Sequence, residues 1–393
     1  MRSTSAFFGV LIAVFLAACG ASLRPDASDV AASTTFGSIP LFNAESKPLE
    51  PPPGATIAGH QVSPASETKD LNVLVISGGG SDGAFGAGVL KGWSESGQRP
   101  LFNIVTGVST GALIATFAFL GSGWDAELER FYTRVTAEQI YEANGVLGLF
   151  QDSLYDTTPF RRMVEKVVTP RLLDAVAAEH ERGRRLYVAT TDLDSGLVVV
   201  WDMGGIAASR HPTRTETYRD VLVASAAFPG FFKPVYVRNS DQRGRPRMHV
   251  DGGVKAPILL RSFMVEGKQR KKMVYVLVNG KLALKTDAVV PVPATVMGIS
   301  RRSINELMRG LTYKTIYQAY VTTRQAQSQF RILHVPDHAK DIDDPLRFRP
   351  AEMRHLFDVG RKIGAKPSNW LPEPPRLEAL ERVGEPAAAK ARR

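Results

Sequence analysis

A single cysteine, Cys19, stands in 393 residues. One thiol makes no disulfide within the chain and no multi-cysteine metal site. Histidine is scarce as well. The seven are His60, His180, His211, His249, His334, His338 and His355, and none sits in a pattern that marks a catalytic imidazole. Long apolar runs are missing: Ala6–Ala18 is 13 residues, whereas a spanning helix needs about 20. Zinc-finger spacings and RNA-recognition aromatics are also absent, so no nucleic-acid partner is expected. What the chain has is a basic surplus, 49 Lys and Arg against 39 Asp and Glu. That surplus favours anionic surfaces, lipid among them, or is only a solvated surface. Hydrophobic residues make up 44%, enough for a globular body rather than a disordered chain.

The N-terminus carries an address. Arg2 precedes the short apolar run Ala6–Ala18, the form of a secretory signal. Leu16-Ala17-Ala18-Cys19 resembles the bacterial lipobox. That resemblance implies cleavage before Cys19, lipidation of its thiol and anchoring in a membrane. Gly20, rather than Asp, leans toward the outer membrane. Residues 1–18 thus read as a lipoprotein signal peptide. Residues 19–70 are rich in Pro, Ala and Ser, include Pro51-Pro52-Pro53-Gly54, and lack a helix or strand period. They read as a tether.

Leu71–Ile76 is a short apolar run, a buried strand of a parallel sheet. It enters Gly78-Gly79-Gly80-Ser81-Asp82-Gly83, and a helix-compatible segment follows. Gly78, Gly80 and Gly83 satisfy G-x-G-x-x-G. Such a loop can cradle a pyrophosphate, or aim its amides at a carbonyl oxygen that becomes negative in a transition state. The next strand, expected at Phe102–Thr106, lacks the acidic residue that a ribose would need. It runs instead into Gly107-Val108-Ser109-Thr110-Gly111 and an apolar helix to Leu120. G-x-S-x-G between a strand and a helix is a nucleophile elbow. Gly107 and Gly111 leave room for the tight turn, and Ser109 is the candidate nucleophile.

A serine needs a base. With no marked histidine, Met248-His249-Val250-Asp251-Gly252-Gly253 stands out. Asp251, at a strand end before two glycines, could take the hydroxyl proton directly. The glycine loop, G-x-S-x-G and Asp-Gly-Gly, in that order, resemble the patatin-like phospholipases. Ala189–Gly196 and Ala224–Val235 match that family's texture. The resemblance implies a Ser109–Asp251 dyad, an acyl-enzyme, and an oxyanion hole from Gly78, Gly79, Gly80 and Gly83. It implies an α/β fold of three layers, a mainly parallel central sheet with helices on both faces. The substrate it implies is a membrane lipid ester, phospholipid or lysophospholipid. No cofactor, metal or obligatory protein partner is expected. Asp82 stands where the family often carries Arg or Lys; its residue type suits capping of the next helix.

Other features have two readings. His249 tunes Asp251 or is a half-buried strand histidine. Asp192, Asp194 and Asp202 hold a metal or, more simply, make a hairpin turn between strands Leu186–Thr191 and Leu197–Trp201. Phe228, Phe231 and Phe232 line an acyl pocket or touch a membrane, or else fill the core. Val146–Phe150 is a lid or lipid-facing segment or, more simply, core. The catalytic domain spans 71–280. A mainly helical extension follows over 281–370, basic from about Ser300 with Arg301, Arg302, Arg309, Lys314 and Arg324 and with a last helix at Arg349–Ile363. A basic tail covers 371–393. The rivals are a Ser-His-Asp α/β-hydrolase using His334 or His338, a catalytically silent lipid-binding lipoprotein, and a nucleotide-binding protein.

Overall fold

A computed structural model of the chain describes residues 38–41, 70–145, 152–237, 246–282, 291–339, 344 and 346–375. Cys19, the signal peptide, most of the tether and Val146–Phe150 lie outside them. The strands are β1 Ser38–Leu41, β2 Leu71–Ile76, β3 Ile104–Val108, β4 Glu142–Ala143, β5 Tyr155–Asp156, β6 Arg185–Asp192, β7 Leu197–Asp202, β8 Val235–Val237, β9 Arg247–Asp251, β10 Lys272–Val278 and β11 Gln329–His334. The helices of four or more residues are α1 Gly83–Glu95, α2 Thr110–Leu120, α3 Asp125–Arg134, α4 Thr158–Val167, α5 Pro170–Glu181, α6 Met203–Ala208, α7 Arg214–Ser225, α8 Val296–Gln325 and α9 Pro350–Gly364.

The main sheet runs β1-β7-β6-β3-β2-β10-β11. Its centre, β6 to β11, is five parallel strands. Antiparallel strands join at the β6 side: β7 and then β1 on one edge, β9 and then β8 on the other. Period-two alternation divides the buried residues between two cores. On β2, Leu74 and Ile76 face α1, α2 and α9, while Val73 and Val75 face the 256–265 segment and α8. This is the expected three-layer α/β arrangement.

Three boundaries differ from the sequence reading. β3 lies at Ile104–Val108, not Phe102–Thr106, and so runs up to Ser109 without a gap. Ser38–Leu41, within the expected tether, pairs with β7 as an edge strand. A four-residue strand is too short to show a period. The segment after residue 280 is also more than a helical cover. β11 extends the parallel sheet, and Leu371 exchanges two backbone hydrogen bonds with Ile332, so the chain is still part of the fold past residue 370.

α9 packs on α1 backbone to backbone. A Cβ at Gly88 would meet the Phe357 carbonyl oxygen at 2.0 Å, and one at Gly92 the Arg361 oxygen at 1.9 Å. Reciprocally, a Cβ at Gly360 would meet the Phe85 oxygen at 2.2 Å, and one at Gly364 the Val89 oxygen at 2.2 Å. Each helix thus offers a glycine pair four residues apart, which lets the axes approach closely. The contact matters for function because α1 begins where the glycine loop ends.

Candidate active site

β3 and β9 approach one edge of β6 from opposite directions. β3 pairs with β6 as far as Val108 opposite Ala189. β9 pairs antiparallel, and its last residue, Asp251, lies opposite the next position, Thr190. The C-terminal ends of the two strands therefore meet head to head. Ser109 follows directly on β3, so residues far apart in sequence are brought together by strand register alone.

Ser109 takes φ 57° and ψ −130°. A positive φ in a residue with a Cβ costs about 1–3 kcal/mol and persists only where neighbours hold it. Ser225, the last residue of α7, does so. The Ser109 N–H donates to Ser225 Oγ at 2.9 Å, and the Ser225 hydroxyl donates to the Ala189 carbonyl at 2.7 Å. The flanking glycines are required by close approach. A Cβ at Gly107 would lie 2.2 Å from the Gly111 oxygen, and one at Gly111 2.4 Å from the Ser77 oxygen.

Asp251 is 2% exposed. Its amide donates to the Ala227 carbonyl at 2.9 Å, and its carboxylate accepts the Gly253 N–H at 2.7 Å. Burial pushes its pKa up to about 6, against the opposing hydrogen bonds from Ser109 and Gly253. It is thus a stronger base than a solvated carboxylate, yet largely ionised at neutral pH.

The glycine loop lies against the serine: a Cβ at Gly78 would sit 3.0 Å from Ser109 Cβ. Gly79 and Gly80 have φ 150° and 55°. Their amides donate to no carbonyl among the described residues. Asn279, just past β10, fixes the loop. Its N–H donates to Ser77 Oγ and its Nδ2 to the Ser77 carbonyl, both at 2.8 Å, while its Oδ1 accepts the Gly86 N–H at 3.1 Å. Sequence reasoning missed both Ser225 and Asn279. Asp82 occupies the N-cap position of α1, but its side chain makes no capping hydrogen bond to that helix, so the expected capping role is not what it does.

Ser109, Asp251, Gly78, Gly79 and Gly80 line one cavity of about 490 Å³. Leu113, Val135, Phe160, Val164, Phe228 and Phe232 make an apolar wall, and Arg302, Glu306 and Arg309 of α8 a polar one. Gly83 lies outside the lining, its Cα packed toward Thr110 Oγ1 and Tyr132. Phe228 and Phe232 thus belong to the cavity. Phe231 does not; it packs on Phe228 with the Arg301 guanidinium 5.9 Å from its ring.

No described histidine lines this cavity. His334 closes the outermost strand β11 and bonds the Val335 carbonyl. His249 is fully buried. Its Nδ1 pairs with Thr190 Oγ1 at 2.9 Å and its ring packs on Trp201, and burial lowers its pKa to about 4. It is a neutral core residue. Asp192 accepts from the Asp194 and Ser195 amides and pairs with Arg247 at 2.9 Å, which makes it a turn residue. Asp202 caps α6 through the Gly205 N–H.

Residues 74–264 match the family model described as patatin-like phospholipase. Two solved structures are similar at low identity. VipD from Legionella pneumophila has 12% identity and a TM-score of 0.40, covering 76% of this chain and 67% of that one. The complex of SpcU with ExoU from the type III secretion system of Pseudomonas aeruginosa has 14% identity and a TM-score of 0.34, covering 76% of this chain and 52% of that one. No curated protein matches the chain. Residues 74–264, just under half of the chain, are thus a patatin-like phospholipase domain.

Proposed function

We propose that the protein hydrolyses lipid esters through a Ser109–Asp251 dyad and an acyl-Ser109 intermediate. The observation that carries this reading is the head-to-head meeting of β3 and β9 on β6 at the end of a largely apolar cavity. The Ser109 hydroxyl passes its proton to Asp251 as Oγ attacks the ester carbonyl. The carbonyl oxygen takes the charge and meets the amides of Gly79 and Gly80. The tetrahedral species collapses and the alcohol leaves with the proton. Asp251 then takes a proton from water, whose oxygen attacks the acyl carbon and releases the fatty acid and Ser109. Asp82 offers no cation here, so the oxyanion rests on backbone dipoles, which still contribute a few kcal/mol. A panel of phospholipid, lysophospholipid and neutral glyceride esters tests the reading. Wild type should release fatty acid, and Ser109→Ala should fall to background. Release undiminished in Ser109→Ala would refute it.

The basic surplus and the solvent-facing Val296, Ile299 and Leu307 of α8 support approach to a lipid surface. No helix among the described residues is long and apolar enough to cross a membrane. Anchoring is proposed instead through lipidated Cys19, the sole thiol, placed at the end of the signal-like run. Metabolic labelling with a tagged fatty acid should mark wild type and fail in Cys19→Ala. Equal labelling of both would refute the anchor.

A further inference from the structure

A second cavity, of about 470 Å³, lies beyond the first, and Phe131 lines both. The two share their walls. Leu113 of the front cavity and Phe117 of the rear one are a single turn apart on α2. On α3, Glu127 lines the rear one turn before Phe131, and Val135, just past the helix end, lines the front. On α4, Val164 lines the front and Val167 the rear. Residues at i and i+4, or i and i+3, lie along one helix face. The two cavities thus adjoin along the same helices, with Phe131 common to both. Phe117, Trp124 and Val167 keep the rear section apolar before Arg130, Lys166 and Arg171 edge it.

We propose that Phe131 is a specificity-determining partition: it stops the acyl chain of the ester held at Ser109 and so sets the longest chain the enzyme prefers. This rests on the acyl-hydrolase reading above. Removing the ring joins the two sections, and methylenes that wild type leaves in water become buried. In Phe131→Ala, the ratio of kcat/KM for p-nitrophenyl palmitate to that for p-nitrophenyl octanoate should rise about tenfold, the effect of burying roughly two more methylenes. A general loosening of the protein would lower both values together and leave the ratio unmoved. Adding Val167→Trp refills the rear section and should return the ratio to the wild-type value. Phe131→Leu carries the same test should the alanine variant not fold. A ratio unchanged in a folded, active variant would overturn the partition alone. A wild type that turns over neither ester would overturn the hydrolase reading and this inference with it.

Discussion

Asp251→Asn should reduce lipid-ester turnover by about 10⁴-fold, the scale seen when a general base is removed from a hydrolase site, and should also raise the melting temperature at pH 8. The two effects share a cause. Asp251 is buried beside Ser109 and gains its basicity from being held, charged, out of water. Asn keeps an oxygen for the Gly253 N–H but accepts no proton, so the attack on the ester has no base. Its stability consequence follows from the pKa, about 6 in the fold against an ordinary 3.8. Below the ordinary value both folded and unfolded chains hold the proton, and the carboxyl costs nothing extra. As pH rises toward 6 the unfolded chain has released its proton while the folded one still binds it, so stability falls. Above 6 the cost is complete, about 3 kcal/mol. Asn escapes it. Thermal scans should therefore show the variant melting above wild type at pH 8 and the gap closing toward pH 4. In wild type, kcat/KM should rise with pH through an acid limb near 6. A variant less stable than wild type at pH 8 would contradict this account of the carboxylate.

Gly360→Val should cost about 3 kcal/mol or more, at the upper end of overpacking effects, although Gly360 lies outside the cavity lining. A Cβ there meets the Phe85 carbonyl oxygen at 2.2 Å. Backbone oxygens do not move as side chains do, so α1 and α9 must separate along the whole four-glycine contact. The fall in Tm should be roughly 4 °C or more for a chain of 393 residues, at about 2.1 cal/mol/K of unfolding entropy per residue. Activity should fall with it, because α1 carries the glycine loop that lies against Ser109. Lys362→Val, on the exposed side of α9, should shift Tm by less than about 2 °C. Equal effects from the two substitutions would show that the close approach of these helices is not what holds α1.

The residues legible in the sequence are those whose residue type answers a local demand. Gly107 and Gly111 permit the elbow, Gly79 and Gly80 the loop, and Asp251 ends a strand before two glycines. Each demand is met within a few residues, so it leaves a pattern. Ser225 and Asn279 leave none. They bond Ser109 and Ser77 across 116 and 202 positions, and a serine ending a helix or an asparagine after a strand is common. β11 and Ser38–Leu41 were hidden for a similar reason: edge strands are defined by the strand they pair with. Phe131 carries no mark in the sequence, and only its place in the lining of two cavities distinguishes it. His249 has two readings in the sequence, and the structure favours the strand histidine. Its nearness to Asp251 in sequence suggested influence, but its bond is to Thr190.

The central claim is that Ser109 is the nucleophile and Asp251 the group that activates it. Intact-mass and peptide analysis after reaction with a fluorophosphonate probe tests it most directly. The account predicts one phosphonyl group per wild-type chain, on the peptide holding Ser109, none on Ser109→Ala, and strongly slowed labelling of Asp251→Asn. A folded wild type that does not label, or Asp251→Asn labelling at the wild-type rate, would contradict it.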